Sequence, residues 1–291
     1  MKLYAYWCQE TRRIDGVDVT TRAGSNVSPA AAQQKLEQRF LYLRELRLHG
    51  DSLSESRRRE IRAFFAEGAT GEEYQRPICE EVVKVLDEHN VITRNRYGAL
   101  VLNSEDHVFL DIDFSAPPAT LFSRLFSAIV YSGKAPADPD VLRQKTIDRV
   151  LLAVRMSAFS YLRYRLYETK QGLRLVVGGA RIPAQSVFMD ELCKTFAVDE
   201  RYALLCRQQN CFRARLTPKP ARLRLAYPKG LRFPYEAAGA AHMAAWVQTY
   251  NERSAKYAVC RLLTELGGAQ SSPILDIHDM LCKVDTTLPL A

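Results

Sequence analysis

The segment Val108-Phe109-Leu110-Asp111-Ile112-Asp113-Phe114 constrains this chain more than any other. Its apolar run reads as a strand that ends in two carboxylates one residue apart. Side chains alternate along a strand, so Asp111 and Asp113 point to the same face. Two like charges that close repel each other unless a cation lies between them. A divalent ion that prefers hard oxygen ligands, Mg²⁺ or Mn²⁺, is therefore the expected cofactor, with Asp111 and Asp113 as metal ligands and catalytic carboxylates. The plain alternative is a strand end where both aspartates face water.

The 291-residue chain is long enough for one large domain or two modest ones. Its net charge of +8 is unevenly spread. Between Arg201 and Arg232 lie Arg207, Arg213, Arg215, Lys219, Arg222, Arg224 and Lys229, with no acid among them. On strands, alternation aims every second one of these cations to one side, which points to contact with a polyanion. The plain alternative is a solvated charged face. The seven cysteines are odd in number and form no CxxC pair, and the five histidines form no HxxxH or HExxH. Free thiols in a reduced, cytoplasmic protein are expected, and no zinc site. Cys206 and Cys211 read as core residues. Neither a signal-peptide apolar run nor a membrane-length apolar segment is present, so no membrane partner is expected.

Three regions are expected: a mainly helical one over 1–75, an α+β core over 76–235, and a helical one over 236–291. In the first, Tyr4–Trp7 reads as a short edge strand and Asp15–Pro29 as a loop. Ser28-Pro29 supplies an N-cap and a first-turn proline for a helix that stops near Gly50. A second helix spans about 54–66, and Gly68–Gly71 reads as a linker. Pro77 opens a helix with Val82, Val85 and Leu86 inward. Short strands follow at 91–93, 99–102 and 107–114. The Asn103-Ser104-Glu105-Asp106 turn makes the last two an antiparallel hairpin. Pro117-Pro118 ends that pattern, 121–131 reads as a helix, 135–139 as a loop, and 140–156 as a helix.

Tyr161–Glu168 and Leu173–Val177 form a second hairpin around Thr169-Lys170-Gln171-Gly172. Helices fill 185–197 and 199–209. Cys211–Leu216 is a strand, Leu223–Tyr227 another, 237–266 is largely helical, and a short helix closes the chain near 274–282. The expected fold class is α+β: a mostly antiparallel sheet with helices covering one side.

Three elements carry candidate chemistry. The Asp111/Asp113 strand offers carboxylates for metal ions that bridge nucleotide phosphates. The hairpin turn offers backbone N–H groups at Gly172, with Lys170 and Arg174 as phosphate-binding cations. Arg213 and Arg215, two apart on their strand, present guanidinium forks that match phosphate oxygens. Together these are the parts of a phosphoryl- or nucleotidyl-transfer site. His107 shares the face of the two aspartates and reads first as a surface or core histidine, with ligand or base as the alternative. Thr93-Arg94-Asn95-Arg96 adds basic surface. Tyr161, Tyr164 and Tyr167 read first as core, with base stacking as the alternative.

This order of motifs resembles the archaeo-eukaryotic primase superfamily, the primase-polymerases. Phe109-Leu110-Asp111-Ile112-Asp113 is similar to that family's acidic pair at a strand end. Glu168-Thr169-Lys170-Gln171-Gly172-Leu173-Arg174 stands where the family has a glycine turn followed by a phosphate-contacting histidine, here Arg174. Asn210-Cys211-Phe212-Arg213 with Arg215 resembles the third motif. The family's third acid would fall near Ala203, and the nearest carboxylate is Asp199, about one helical turn away.

The resemblance spans roughly residues 90–225. It implies an RRM-like primase-type core, nucleotidyl transfer with Mg²⁺ or Mn²⁺, and nucleoside triphosphate with DNA or RNA as partners. A catalytically degenerate binding module on the same fold and a metal-dependent nuclease are the alternatives. A second likeness, to a set of bacterial proteins sharing Thr93-Arg94-Asn95, Cys211–Pro220 and the Leu-Pro-Leu-Ala end, implies no activity.

Overall fold

The computed structural model describes residues 1–66, 75–114 and 138–291. The linker at 68–71, the Pro117-Pro118 break, the helix at 121–131 and most of the loop at 135–139 lie outside the described residues. The chain divides into two compact units. One comprises 1–81, 208–210 and 228–244; the other comprises 82–207, 211–227 and 245–291.

The first unit opens with a long antiparallel hairpin, β1 (Tyr6–Ile14) and β2 (Val17–Ser25). The segment 15–29, expected as a loop, is therefore mostly strand. Asp15 and Gly16 form the turn with φ of 48° and 75°, the left-handed pair that a tight hairpin needs. Helix α1 (Pro29–His49) starts as expected, with Ser28 Oγ accepting from the Ala31 N–H at 3.0 Å. Its Leu36 and Phe40 pack with Ile14 and Ala23 of the hairpin. Helix α2 (Glu55–Phe65) follows, and Arg57 from its first turn pairs with Glu45 of α1 at 2.8 Å.

The second unit contains two four-stranded sheets. The first runs β3-β4-β5-β9, with β3 (Glu81–Val85), β4 (Asn90–Arg94), β5 (Leu100–Ser104) and β9 (Phe212–Arg215). The second runs β10-β7-β8-β6 and is antiparallel throughout, with β6 (Val108–Asp113), β7 (Arg163–Thr169), β8 (Gly172–Gly178) and β10 (Cys260–Leu266). The expected pairing of the 99–102 and 107–114 strands is corrected here. β5 pairs with β4 and β9, β6 pairs with β8, and the turn between them passes the chain from one sheet to the other. The expected helix after Pro77 is strand β3, whose Val82, Val83 and Val85 favour extended backbone. The expected strand at 223–227 is replaced by a 3-10 turn, Pro220–Leu223, closed by Arg224 at φ 53°.

Helices α3 (Pro139–Met156), α4 (Val187–Phe196), α5 (Glu200–Gln209), α6 (Ala237–Ser254) and α7 (Pro273–Cys282) complete the described chain. The long helix expected to reach Leu266 ends at Ser254, and β10 follows it as an outer strand of the second sheet. Helices lie on both faces of that sheet rather than on one. Tyr164 meets Phe196 of α4 on one face, with ring centroids 5.7 Å apart. Tyr167 and Phe109 each meet His278 of α7 on the other, at 5.3 Å. The sequence of β8 explains the double cover: Leu173 to Val177 are all buried, as a strand covered on both sides requires. Among the described residues no helix is long and apolar enough to cross a membrane.

Candidate functional site

β6 is an outer strand of its sheet, and its pairing with β8 sets Asp111 opposite Arg174 and Asp113 opposite Gly172. A Cβ on residue 172 would stand 2.2 Å from the Ile112 carbonyl oxygen, so the bare backbone here is a packing requirement of the sheet. On the far side of β6, α5 seals the strand edge at its carbonyls. Asp199 N–H donates to Asp111 O at 3.2 Å, and Tyr202 O–H donates to Phe109 O at 2.5 Å. Asp199 also caps α5 in the usual manner of an N-cap aspartate, its Oδ1 accepting from the Arg201 and Tyr202 N–H groups at 2.7 and 3.0 Å.

This arrangement brings three carboxylates to the same end of the strand. Asp113 registers it. Partial burial, then the charges of Asp199 and Asp111, push its carboxyl above the ordinary value, and Lys219 pulls the other way. Asp199 is thus a third charge near the pair, carried by the N-cap of α5.

Cations stand close by. Arg215 on β9 lies in the field of Asp111, Arg174 and Arg222, and burial lowers its affinity for a proton. Burial also lowers that of Lys219, which feels Arg215, Arg222, Asp113 and Asp111 together. Arg222 donates to Gln171 Oε1 at 2.6 Å, and the Phe114 N–H donates to Gln171 O at 3.1 Å, so the β7–β8 turn is tied to the segment after Asp113. Lys170 projects from that turn into solvent.

Arg174 is placed differently from a cation awaiting a phosphate. It is 2% exposed. Its Nε donates to Asp111 Oδ1 at 3.1 Å and its Nη1 to the Arg215 carbonyl at 2.9 Å, with His278 Nε2 at 3.1 Å. Burial works against its charge, and the Asp111 carboxylate more than restores it. Arg213 is buried beside Cys206, and its N–H donates to Tyr202 Oη at 3.4 Å. Of the sequence candidates, Asp111, Asp113, Gly172, Arg174 and Arg215 therefore meet at one end of the sheet, while Arg213 packs beside α5.

The subsidiary candidates are accounted for locally. His107 Nδ1 lies 2.7 Å from Asp106 Oδ1, and its Nε2 lies 2.9 Å from Ser272 Oγ, the N-cap of α7. Arg94 donates to Gly98 O at 3.1 Å, and Asn95 Oδ1 accepts from Tyr97 and Ala99, so this segment braces the β4–β5 turn. Tyr164 and Tyr167 are core residues; Tyr161 is 67% exposed. A cavity of about 580 Å³ opens at the opposite end of β8, lined by Arg163, Arg181, His107, Gly179 and Ser272, and none of the three acids lines it.

Four neighbours of the site are not marked as such by the sequence. Lys219 and Arg222 were visible as charge but not as neighbours of the aspartates. His278-Asp279 reads from the sequence as structural, and the mixed His–Cys spacing of His278 and Cys282, four apart on one helix, is not among the CxxC, HxxxH and HExxH patterns. Comparison with family models, curated proteins and solved structures returned no match to this chain.

Proposed function

We propose that the end of β6 is a divalent-cation and phosphate site, and that the chain is a metal-dependent nucleotidyltransferase of primase-polymerase type. It acts on nucleoside triphosphate together with DNA or RNA. One observation carries this reading: Asp199 is bonded to the backbone of Asp111, and partial burial, then the charges of Asp199 and Asp111, raise the Asp113 carboxyl. Asp111 and Asp113 would hold Mg²⁺ or Mn²⁺, with Asp199 adding its charge from the α5 cap rather than joining them in one ligand sphere. The donor set is all hard oxygen, as those ions require, and a cation would remove the repulsion at Asp113 that Lys219 only partly offsets. When bound, such an ion supplies charge neutralisation at the phosphates and activation of the attacking hydroxyl.

The chain's own cations divide the remaining work. Arg215, Lys219 and Arg222 face the phosphates, and Lys170 extends the same basic surface. Arg174 acts on Asp111, fixing one carboxylate oxygen and the direction of the other. Support for the RRM-like primase-type core rests on the placement of these residues, not on the strand order. Calorimetry with Mn²⁺ and a non-hydrolysable nucleotide, followed by primer extension, tests the reading. Binding and extension that both disappear in Asp113→Ala support it. A protein that binds no Mn²⁺–nucleotide and extends no primer ends it.

A specific observation favours a second reading. Arg174 already neutralises Asp111 from a buried position, as suits a module that holds nucleic acid without chemistry. That reading expects oligonucleotide affinity to fall steeply with salt and to be unchanged by Asp113→Ala.

A further inference from the structure

Behind Arg174, on the α7 side of the sheet, three soft donors converge. Cys260 begins β10, and His278 and Cys282 lie one turn apart on α7. Their ligand atoms all lie within 4.8 Å of one another, and each residue is 0% exposed. Among the described residues this is the one trio of His, Cys or carboxylate groups so gathered.

The imidazole is oriented from behind. Its Nδ1 lies 2.7 Å from Asp279 Oδ1, and Asp279 is itself held by the Tyr167 hydroxyl at 2.9 Å and by Arg165 at 2.9 Å. A carboxylate on one ring nitrogen fixes the tautomer and leaves the other nitrogen as donor, the outer arrangement of metal-bound histidines. Two buried cysteines alone would be ordinary core residues. Here a carboxylate-oriented histidine, packed on Phe109 and Tyr167, brings a nitrogen donor to the two sulfurs.

We propose that Cys260, His278 and Cys282 form a buried structural site for a soft d¹⁰ cation, Zn²⁺ foremost, which clamps the first residue of β10 to the last turn of α7. Two thiolates balance the charge of a divalent ion, and thiolate with imidazole is the donor set that selects such ions over Mg²⁺ or Ca²⁺. As each sulfur–metal bond forms, the thiol proton leaves to solvent. Arg174 Nη1 lies 4.0 Å from Cys282 Sγ. When the metal takes the Nε2 lone pair, Arg174 keeps Asp111 and the Arg215 carbonyl and remains beside a thiolate. The site rests on none of the acidic residues of β6 and stands independently of the nucleotidyltransferase reading.

The test uses the full chain, stripped of metal and titrated with Co²⁺ as a spectroscopic stand-in. One equivalent is expected to give a thiolate-to-metal charge-transfer band that one equivalent of Zn²⁺ abolishes. Cys282→Ser removes the band, Cys206→Ala leaves it, and Asp279→Asn weakens Zn²⁺ binding by about 10–100-fold. No band in the wild-type protein, or a band that survives Cys282→Ser, overturns the site. Should Cys282→Ser fail to fold, alkylation of the wild-type protein in mild denaturant decides. Zinc-dependent protection of Cys260 and Cys282 upholds the proposal; protection of other cysteines only, or of none, overturns it.

Discussion

Arg174 shows how a residue's chemistry depends on where its neighbours leave it. Its position opposite Asp111 was implicit in strand alternation and hairpin register, yet its burial was not, because α7 closes over it from a hundred residues away. A buried guanidinium that serves a carboxylate, a carbonyl and an imidazole is costly to remove, since its partners are left desolvated. Arg174→Met is therefore expected to destabilise the protein by about 3 kcal/mol, the low end for a broken buried pair because Asp111 is a third exposed. Urea unfolding checks this; a midpoint equal to wild type would mean that the arginine carries no structural weight. Asp111 and Asp113 were legible as a same-face pair. Asp199 was legible only as the carboxylate nearest the third-acid position; its approach to the pair follows from a helix cap docked on a strand edge, a tertiary relation without a local signature.

At the scale of elements, local signals were reliable where a turn or a cap decides and unreliable where a partner strand decides. The Ser28-Pro29 helix start, the β7–β8 hairpin and the two helices before β9 all follow from nearby residues. The Asn103–Asp106 reversal is real, but the strands it joins enter different sheets, since each finds its apolar partner elsewhere. β3 and β10 carry valine- and leucine-rich runs that suit either period until a sheet edge claims them, so the helix expected from sequence gives way to strand at both. Asp15-Gly16 was the overlooked local signal.

The same close strand approach makes a prediction for the β6–β8 pair. Gly172→Ala places a methyl against the Ile112 carbonyl, where backbone must shift. A loss of about 1–3 kcal/mol is expected by thermal or urea unfolding. Unchanged stability would show that β6 and β8 separate without cost at the acidic end.

Acid sensitivity is expected in the first unit. Arg12 bonds Glu10 at 2.7 Å and both oxygens of Glu37, and its guanidinium holds both carboxyls below their ordinary value of 4.5. Carboxyls depressed by folding stabilise above the unfolded value and lose that contribution as pH falls through the folded one. Hydrogen exchange of the full chain should show β1, β2 and α1 losing protection as pH drops below about 4.5, with Arg12→Gln flattening that dependence. Equal pH profiles for the two proteins would contradict the linkage. The two charge systems thus serve different ends: one fastens a hairpin to a helix, and the other concentrates carboxylates at a strand end.

That concentration of acids is the central claim, and Mn²⁺ binding followed by electron paramagnetic resonance tests it most directly. Asp199→Asn is the discriminating variant, because asparagine caps a helix as well as aspartate does and so removes the charge while keeping α5 in place. The account predicts saturable Mn²⁺ binding to the wild-type chain, weakened at least about tenfold in Asp199→Asn, a loss of about 1.4 kcal/mol, at unchanged folding stability. Wild-type and Asp199→Asn proteins that bind Mn²⁺ equally, or not at all, would contradict it.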